Sequence, residues 1–491
     1  MQTNSIEKKP PYLMIAILFF GAFVSFLNNS LLNVALPTIM VDFNKDYATV
    51  QWLATGYMLV SGILIPVSAF LITKFKNRHL FITSMVLFTV GTAMAAFAPN
   101  FGMLLVGRMV QAAGSSVMGP LLMNVMLVSF PREKRGTAMG VFGLVMITAP
   151  AIGPTLSGYI VEYHDWRLLF EMILPFALIA IGLAIWKLEN VMETRDATLD
   201  YLSVVLSVVG FGGLLYGCSM ASSNGWSDTT VLASIIIGAI GIIWFVVRQL
   251  RLDEPLLDLR VYKYPMFALG SVISMVNAAA MFSGMILTPV YIQNVRGISP
   301  LEAGLMMLPG AIIMGIMSPI TGRLFDKFGP RILAFVGLTI TAFSTFLLTN
   351  LEVDSTYTYI IMIYTIRMFG MSMVMMPIMT NGLNQLPAKL YPHGTAINNT
   401  AQQVVGAIGT ALFVTLMNSV ATSKGKELIT GIDLTTVTEA QMKGIEQAAL
   451  LEGIQFSFFI AAIVTIIALV LTLFLKRVDI SRAAIEKLEK Q

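Results

Sequence analysis

Fourteen apolar stretches of roughly membrane-spanning length run along this chain, and two of the short loops between them carry the same kind of charged signature. A helix needs about 20 apolar residues to cross a hydrocarbon core of about 30 Å. The stretches hold few charges and show no period-2 alternation, so only α-helices satisfy their backbone donors and acceptors inside lipid. The expected fold class is an all-α polytopic membrane protein with 14 transmembrane helices. A soluble globular domain is excluded, because the 491 residues are 56% hydrophobic, only 12% charged and have a mean hydropathy of +0.79.

Orientation follows from the basic residues, which stay on the cytoplasmic side. Most of the 31 Lys and Arg fall in one set of alternate loops and in the termini. This places both the amino and carboxyl ends in the cytoplasm and makes the net charge of +4 a topology signal, with no nucleic-acid partner implied. Lys8 and Lys9 lead straight into the first span without a small-residue cleavage site, so that span reads as retained. The single cysteine, Cys218, supports neither a disulfide framework nor a thiolate metal site.

An internal repeat sets the domain plan. Arg108-Met109 in the fourth span recurs as Arg367-Met368 in the twelfth, and Gly136-Thr137-Ala138-Met139, opening the fifth, recurs as Gly394-Thr395-Ala396-Ile397, opening the thirteenth. A repeat spaced by eight spans implies two six-helix bundles, 1–187 and 266–475, with two inserted spans in 188–265 and a cytoplasmic tail at 476–491. The longest external loop, about 421–452, is polar and reads as a solvated hairpin.

The repeated charged loop is best preserved at Gly322-Arg323-Leu324-Phe325-Asp326-Lys327-Phe328-Gly329-Pro330-Arg331. Its counterpart, Ala69-Phe70-Leu71-Ile72-Thr73-Lys74-Phe75-Lys76-Asn77-Arg78, keeps the basic residues but has Thr73 at the acid position. Glycine lets two helices approach closely, and an acid there can accept hydrogen bonds from a neighbouring helix end. Setting topology through positive charge alone is the plainer use of such loops.

These residues resemble the major facilitator superfamily, and within it the fourteen-helix drug:proton antiporter branch of EmrB/QacA type. The resemblance also rests on Leu31-Leu32-Asn33-Val34-Ala35-Leu36-Pro37, Gln51-Trp52-Leu53-Ala54-Thr55-Gly56-Tyr57, Gly107-Arg108-Met109-Val110-Gln111-Ala112-Ala113-Gly114, Gly153-Pro154-Thr155-Leu156-Ser157-Gly158 and Glu254-Pro255-Leu256-Leu257-Asp258-Leu259. The run Phe26-Leu27-Asn28-Asn29-Ser30-Leu31-Leu32-Asn33 is most similar to the lincomycin-efflux subgroup. The resemblance implies a conformational latch of Gly322, Arg323, Asp326, Gly329 and Arg331, and makes Arg108, with Gln111 on its face, a participant in proton coupling. It also makes Pro150, Gly153, Pro154 and Gly158 a kink associated with exchange transport. A generic packing kink is the alternative for the Gly-Pro residues, and carbonyl capping or snorkelling to an interface is the alternative for Arg108, one that fits Arg367 better because its motif has Gly370 in place of the glutamine.

Members of this branch usually carry an Asp in the first span, and here the position is Asn28. Of the 27 acids only Glu171 reads as membrane-embedded, and it is the remaining carboxylate candidate for proton coupling; its neighbours Trp166 and Arg167 suit an interfacial position as well. With so few intramembrane acids, neutral, zwitterionic or amphiphilic anionic cargo fits better than a dication. The expected cavity draws polar groups from Asn28, Asn29, Asn33, Trp52, Tyr57, Asn277, Tyr291, Gln293, Asn381, Asn398, Asn399, Gln402 and Gln403, and apolar surface from methionines such as Met371, Met373, Met375 and Met376. Interhelical hydrogen bonding is the commoner use of such amides.

No Gly-x-x-x-x-Gly-Lys-Ser/Thr phosphate loop is present, and His79, His164 and His393 offer no paired haem or zinc ligands. The expectation is a monomeric multidrug efflux transporter of the plasma membrane, with no enzymatic activity, cofactor or metal, whose partners are small amphipathic substrates, protons and the lipid bilayer. A facilitator or exporter of an endogenous lipid or metabolite without strict proton coupling is the alternative, and a nontransporting sensor a third.

Overall fold

A computed structural model describes residues 11–45, 47–430 and 438–479. Among the described residues there are α-helices, short 3-10 and π segments, and no strand. The first spans are α1 (Tyr12–Asp42), α2 (Tyr47–Lys74), α3 (Asn77–Ala96), the pair α4 (Phe101–Ser115) and α5 (Met118–Ser129), α6 (Arg135–Tyr163), and the pair α7 (Leu168–Glu171) and α8 (Ile173–Lys187). Next come α9 (Tyr201–Asn224) and α10 (Thr229–Arg251). The last six spans are α11 (Pro265–Val290), α12 (Pro300–Phe328), α13 (Pro330–Leu347), the pair α14 (Tyr357–Ser372) and α15 (Met375–Asn384), α16 (Tyr391–Ile429) and α17 (Glu439–Thr472). Together they supply 14 helices long and apolar enough to cross a membrane, as the apolar stretches require.

Spans four and twelve are both broken in the middle. Ser115 and Ser116 donate to the carbonyls of Ala112 and Ala113, at 3.2 and 3.0 Å, and Ser372 donates to that of Phe369 at 2.6 Å. Such back-bonding competes with the helical ladder and bends it. Irregular backbone at membrane depth is tolerated where it lines a cavity, and both breaks do so.

Small residues bring helices together at matching places. A Cβ on Gly91 of α3 would stand 2.5 Å from the Gln111 nitrogen of α4, and one on Gly337 of α13 would stand 2.6 Å from the Gly370 carbonyl oxygen of α14. The inserted pair α9 and α10 packs through Gly210, Gly213, Gly238 and Gly241. α9 then leans on α2, where Trp52 meets Tyr216 with ring centroids 5.6 Å apart, while Trp226 beyond its end donates to Thr415 of α16 at 2.5 Å.

The polar external segment differs from the solvated hairpin expected at 421–452. Helix α16 continues to Ile429 and α17 begins at Glu439, where Thr438 and Gln441 form a capping box. Residues 431–437, and the tail beyond 479 with Arg482, Lys487 and Lys490, lie outside the described residues.

Candidate functional site

A cavity of about 290 Å³ lies between the two repeated halves. Of the residues expected there, Asn29, Tyr57, Asn277, Asn399, Gln402, Gln403 and Met375 line it. Sequence reasoning misses Ser61, Ser115, Ser116, Ser274, Phe26 and Phe282. The signal available for two of them was the Ser115-Ser116 pair, polar hydroxyls following Gly114 in mid-span. No Asp, Glu, Lys, Arg or His is among the lining residues.

Several expected members lie elsewhere. Tyr291 is fully buried, and its hydroxyl donates to the Glu352 carbonyl at 2.6 Å, which anchors a π segment, Tyr291–Val295, that also holds Gln293. Trp52 is occupied by Tyr216. Asn398 is buried but not on the wall, and Asn381 clasps the carboxyl-terminal segment, donating to the Lys476 carbonyl at 3.0 Å and accepting from Val478 N at 3.1 Å. Met371 and Met376 are core residues. The Asn33 side chain lies outside the described residues.

Asn28 stands behind the wall with Arg108, each only 1% exposed. Arg108 Nη1 donates to Asn28 Oδ1 at 3.1 Å and to Gln111 Oε1 at 2.9 Å; its Nε donates to the Leu53 carbonyl at 3.5 Å; and its guanidinium carbon sits 4.4 Å from the centroid of the Tyr57 ring. Gln111 passes the chain on to Thr92 at 2.8 Å, and Tyr57 shares a short hydrogen bond with Ser115. Arg108 and Gln111 are therefore brought together as expected, with the Asn28 amide where a carboxylate would complete an ion pair. Asn28 Nδ2 has no partner. Arg367 is equally buried, donating to Thr345 Oγ1 at 3.1 Å and to the Ala280 carbonyl. It fits the structural reading.

Glu171 departs from the expectation of a desolvated carboxylate. It is exposed at the end of the short helix α7, where the chain turns into α8, because the buried positions there are taken by Leu169 and Phe170.

Asp326 lies at the cytoplasmic end of α12. Its Oδ1 accepts from Gly136 N at 2.9 Å, and its Oδ2 accepts from Thr137 N at 2.9 Å and from the Thr137 hydroxyl at 2.7 Å. These are free N–H groups in the first turn of α6, where the helix dipole favours an anion. Gly322 permits the approach, since a Cβ there would stand 2.2 Å from the Gly136 carbonyl oxygen. Gly329 adopts φ +79°, the left-handed region that glycine allows. Arg323 on α12 and Arg331 in the first turn of α13, expected in the latch, are exposed. The cation at this corner is Arg477, which donates to the carbonyls of Asp326 and Lys327 at 2.7 and 3.4 Å.

Further contacts join the halves beside this latch. Arg132 donates to the carbonyls of Asn384 and Leu386 at 3.0 and 3.3 Å, and Arg135 donates to Asn384 Oδ1 at 3.1 Å and to the Tyr391 hydroxyl at 2.8 Å. Asn124 donates to Thr395 at 2.7 Å. In the first-half loop the Thr73 hydroxyl donates within its own helix, to the Ala69 carbonyl at 2.8 Å. That loop is held by the segment following α8: Asn77 donates to the Glu189 carbonyl at 2.8 Å and Arg195 N to the Thr73 carbonyl at 2.9 Å.

The Gly-Pro residues of α6 serve three neighbours. Pro150 lines the cavity. A Cβ on Gly153 would stand 2.0 Å from Ser30 Oγ of α1, whereas Gly158 and Pro154 face Leu301 and Gly304 of α12.

The family model for the Major Facilitator Superfamily matches residues 18–410. The chain is 52% identical over 408 residues to the uncharacterised MFS-type transporter YhcA of Bacillus subtilis, covering 83% of this chain and 77% of that one. It is 44% identical over 473 residues to the lincomycin resistance protein LmrB of Listeria innocua, covering 96% and 98%. Among solved structures, the human organic anion transporter MFSD10 shares the fold, with a TM-score of 0.63 at 11% identity over 93% of this chain and 100% of that one.

Proposed function

We propose that this chain, which belongs to the major facilitator superfamily, exports amphipathic small molecules across the plasma membrane by alternating access, in exchange for protons. The observation that carries the reading is Asp326 seated on the first turn of α6, a contact between the repeated halves on the side bearing the basic loops. With it formed, and with Arg132 and Arg135 bound to Asn384 and Tyr391, the cytoplasmic ends of the halves are joined below the cavity. Release of these bonds frees α12 from α6, so that 1–187 and 266–475 rock apart and admit cargo from the cytoplasm. Re-forming them favours release to the other side. The breaks in spans four and twelve place Ser115, Ser116, Val374 and Met375 on the wall, where polar and adaptable apolar groups meet the cargo.

Arg108, Gln111 and Asn28 form the chain that links α1 to α4 behind this wall, and Arg108 stays charged. The name of the LmrB relative makes lincomycin the first compound to test. The second reading, passage of an endogenous lipid or metabolite without strict proton coupling, is favoured by one observation: Arg108 faces an amide, and no Asp or Glu lines the cavity.

Uptake into inverted vesicles, with and without an acid interior, separates the two. Uptake that requires the gradient supports exchange, gradient-independent flux supports the second reading, and no flux of any compound in a diverse panel overturns both.

A further inference from the structure

We infer that the cavity takes uncharged, hydrogen-bonding amphiphiles and discriminates against cations and anions for different reasons. This rests on the export reading only in making the cavity the cargo site.

Four polar atoms buried on the wall have no partner: Ser61 Oγ, Ser274 Oγ, Asn277 Oδ1 and Asn399 Nδ2. These atoms expose almost no surface to the cavity, but a buried donor or acceptor left unmade is costly, so a ligand group that draws the side chain round to meet it is rewarded. Asn277 Oδ1 needs a donor, Asn399 Nδ2 needs an acceptor, and the two hydroxyls take either role. Ligand hydroxyl or amide groups answer all four. Ser61 belongs to α2 and the other three to α11 and α16, so one ligand would bridge both halves.

Cations are opposed by what stands behind this wall. Arg108 and Arg367 are buried, and the groups that receive their hydrogen bonds are all neutral. Both remain protonated, and Tyr57, which lines the cavity, stacks directly on Arg108. A ligand cation at the Tyr57 wall would meet the unneutralised charge of Arg108 at low dielectric, with no acid on the wall to pair with.

Anions gain too little from the same charges. Neither arginine lines the cavity: Nε and Nη1 of Arg108 are engaged by Asn28, Gln111 and the Leu53 carbonyl, and the unpartnered Nη1 of Arg367 is itself buried off the wall. A carboxylate would lose its water without a direct ion pair. An uncharged ligand avoids both penalties.

The test uses the purified full chain and three dansyl sulfonamides that differ only in their tail: hydroxyethyl, trimethylammonioethyl and carboxymethyl. The hydroxyethyl probe is expected to bind at least tenfold more tightly than either charged one, and Asn277→Leu and Asn399→Leu each to weaken it several-fold. Met281→Glu, which puts a carboxylate on the wall, should raise affinity for the trimethylammonium probe at least tenfold. If that variant does not fold, the parent protein and the three probes decide the matter alone. Equal binding of either charged probe, or no binding of any, overturns the inference. Flux of the same probes in inverted vesicles keeps the two readings apart: the expected binding order without flux sinks export and leaves the cavity chemistry, whereas flux without a charge order sinks this inference and leaves export.

Discussion

Thr137 gives Asp326 both its backbone N–H and its hydroxyl, at 2.9 and 2.7 Å, and so ties the start of α6 to the end of α12. Hydrogen bonds to a charged acceptor contribute about 1.5–3 kcal/mol each, and an anion at a helix N-terminus about 0.3–1 kcal/mol more. Asp326→Asn keeps the shape but loses the charge and one acceptor, so the cytoplasmic ends should separate about 10–100-fold more readily. Transport should fall several-fold with normal membrane insertion. Cys218 is the only cysteine, so a single substitution clears the background for spin labels on α6 and α12. An unchanged distance distribution and unchanged flux would remove Asp326 from the gate.

Gly140 and Gly153, on the same helix, should fail differently when enlarged. A Cβ on Gly140 would stand 2.5 Å from the Ser318 carbonyl oxygen of α12, across the halves, while one on Gly153 meets Ser30 within the first half. Gly140→Leu should therefore leave a folded protein that cannot close its cytoplasmic side. Gly153→Leu should lower expression and thermal stability instead, by a few kcal/mol as overpacking does. Labelling of cytoplasmic-side cysteines, set against the melting midpoint of each variant, checks the contrast. Identical phenotypes would contradict this division of the seam.

The spans, the repeat and the Asp326 loop were legible in the sequence because each is a local signal: apolar length, a recurring tetrapeptide, one acid among basic residues. The partners of the loop were not. Arg132 and Arg135 are two of many basic residues in the loops, and nothing local marks Asn384 or Tyr391 as the groups they reach. The amides show the same limit. Asn29, Asn277 and Gln402 reach the cavity, whereas Gln293 and Asn398 carry the same amide group and differ only in where the backbone places them. Glu171 misleads for a related reason: sequence gives its distance from the helix start but not the face it occupies.

The Asp200–Arg248 pair fastens the start of α9 to the end of α10, with contacts of 2.7 and 2.9 Å. Hydrogen bonds from Arg248 bring the Asp200 carboxyl down from 3.8 to about 2. A carboxylate held lower in the folded state stabilises it above the unfolded value, and that contribution is lost as pH falls through the folded one. The parent should therefore lose melting temperature between about pH 4 and pH 2 relative to Asp200→Asn, and the two curves should converge at the acid end. Parallel curves across that window would show that the pair adds nothing to stability.

The final prediction concerns Asn28. Its Oδ1 accepts from Arg108 while its Nδ2 stays buried without a partner, and an orphan donor of this kind costs about 1–3 kcal/mol. Asn28→Asp is close to isosteric, removes the orphan donor and gives Arg108 a carboxylate to pair with, so the variant should fold. It also places a titratable acid between α1 and α4, beside the Tyr57 wall. Protonation would break the Arg108 pair and deprotonation restore it, which couples that junction to the proton gradient. In inverted vesicles the ratio of uptake with an acid interior to uptake without one should rise at least several-fold over the parent. Arg108→Gln in the same background should abolish the gain, since a carboxylate without its cation is buried and neutral. A ratio that does not move in Asn28→Asp would remove the Asn28–Arg108 junction as a route for protons.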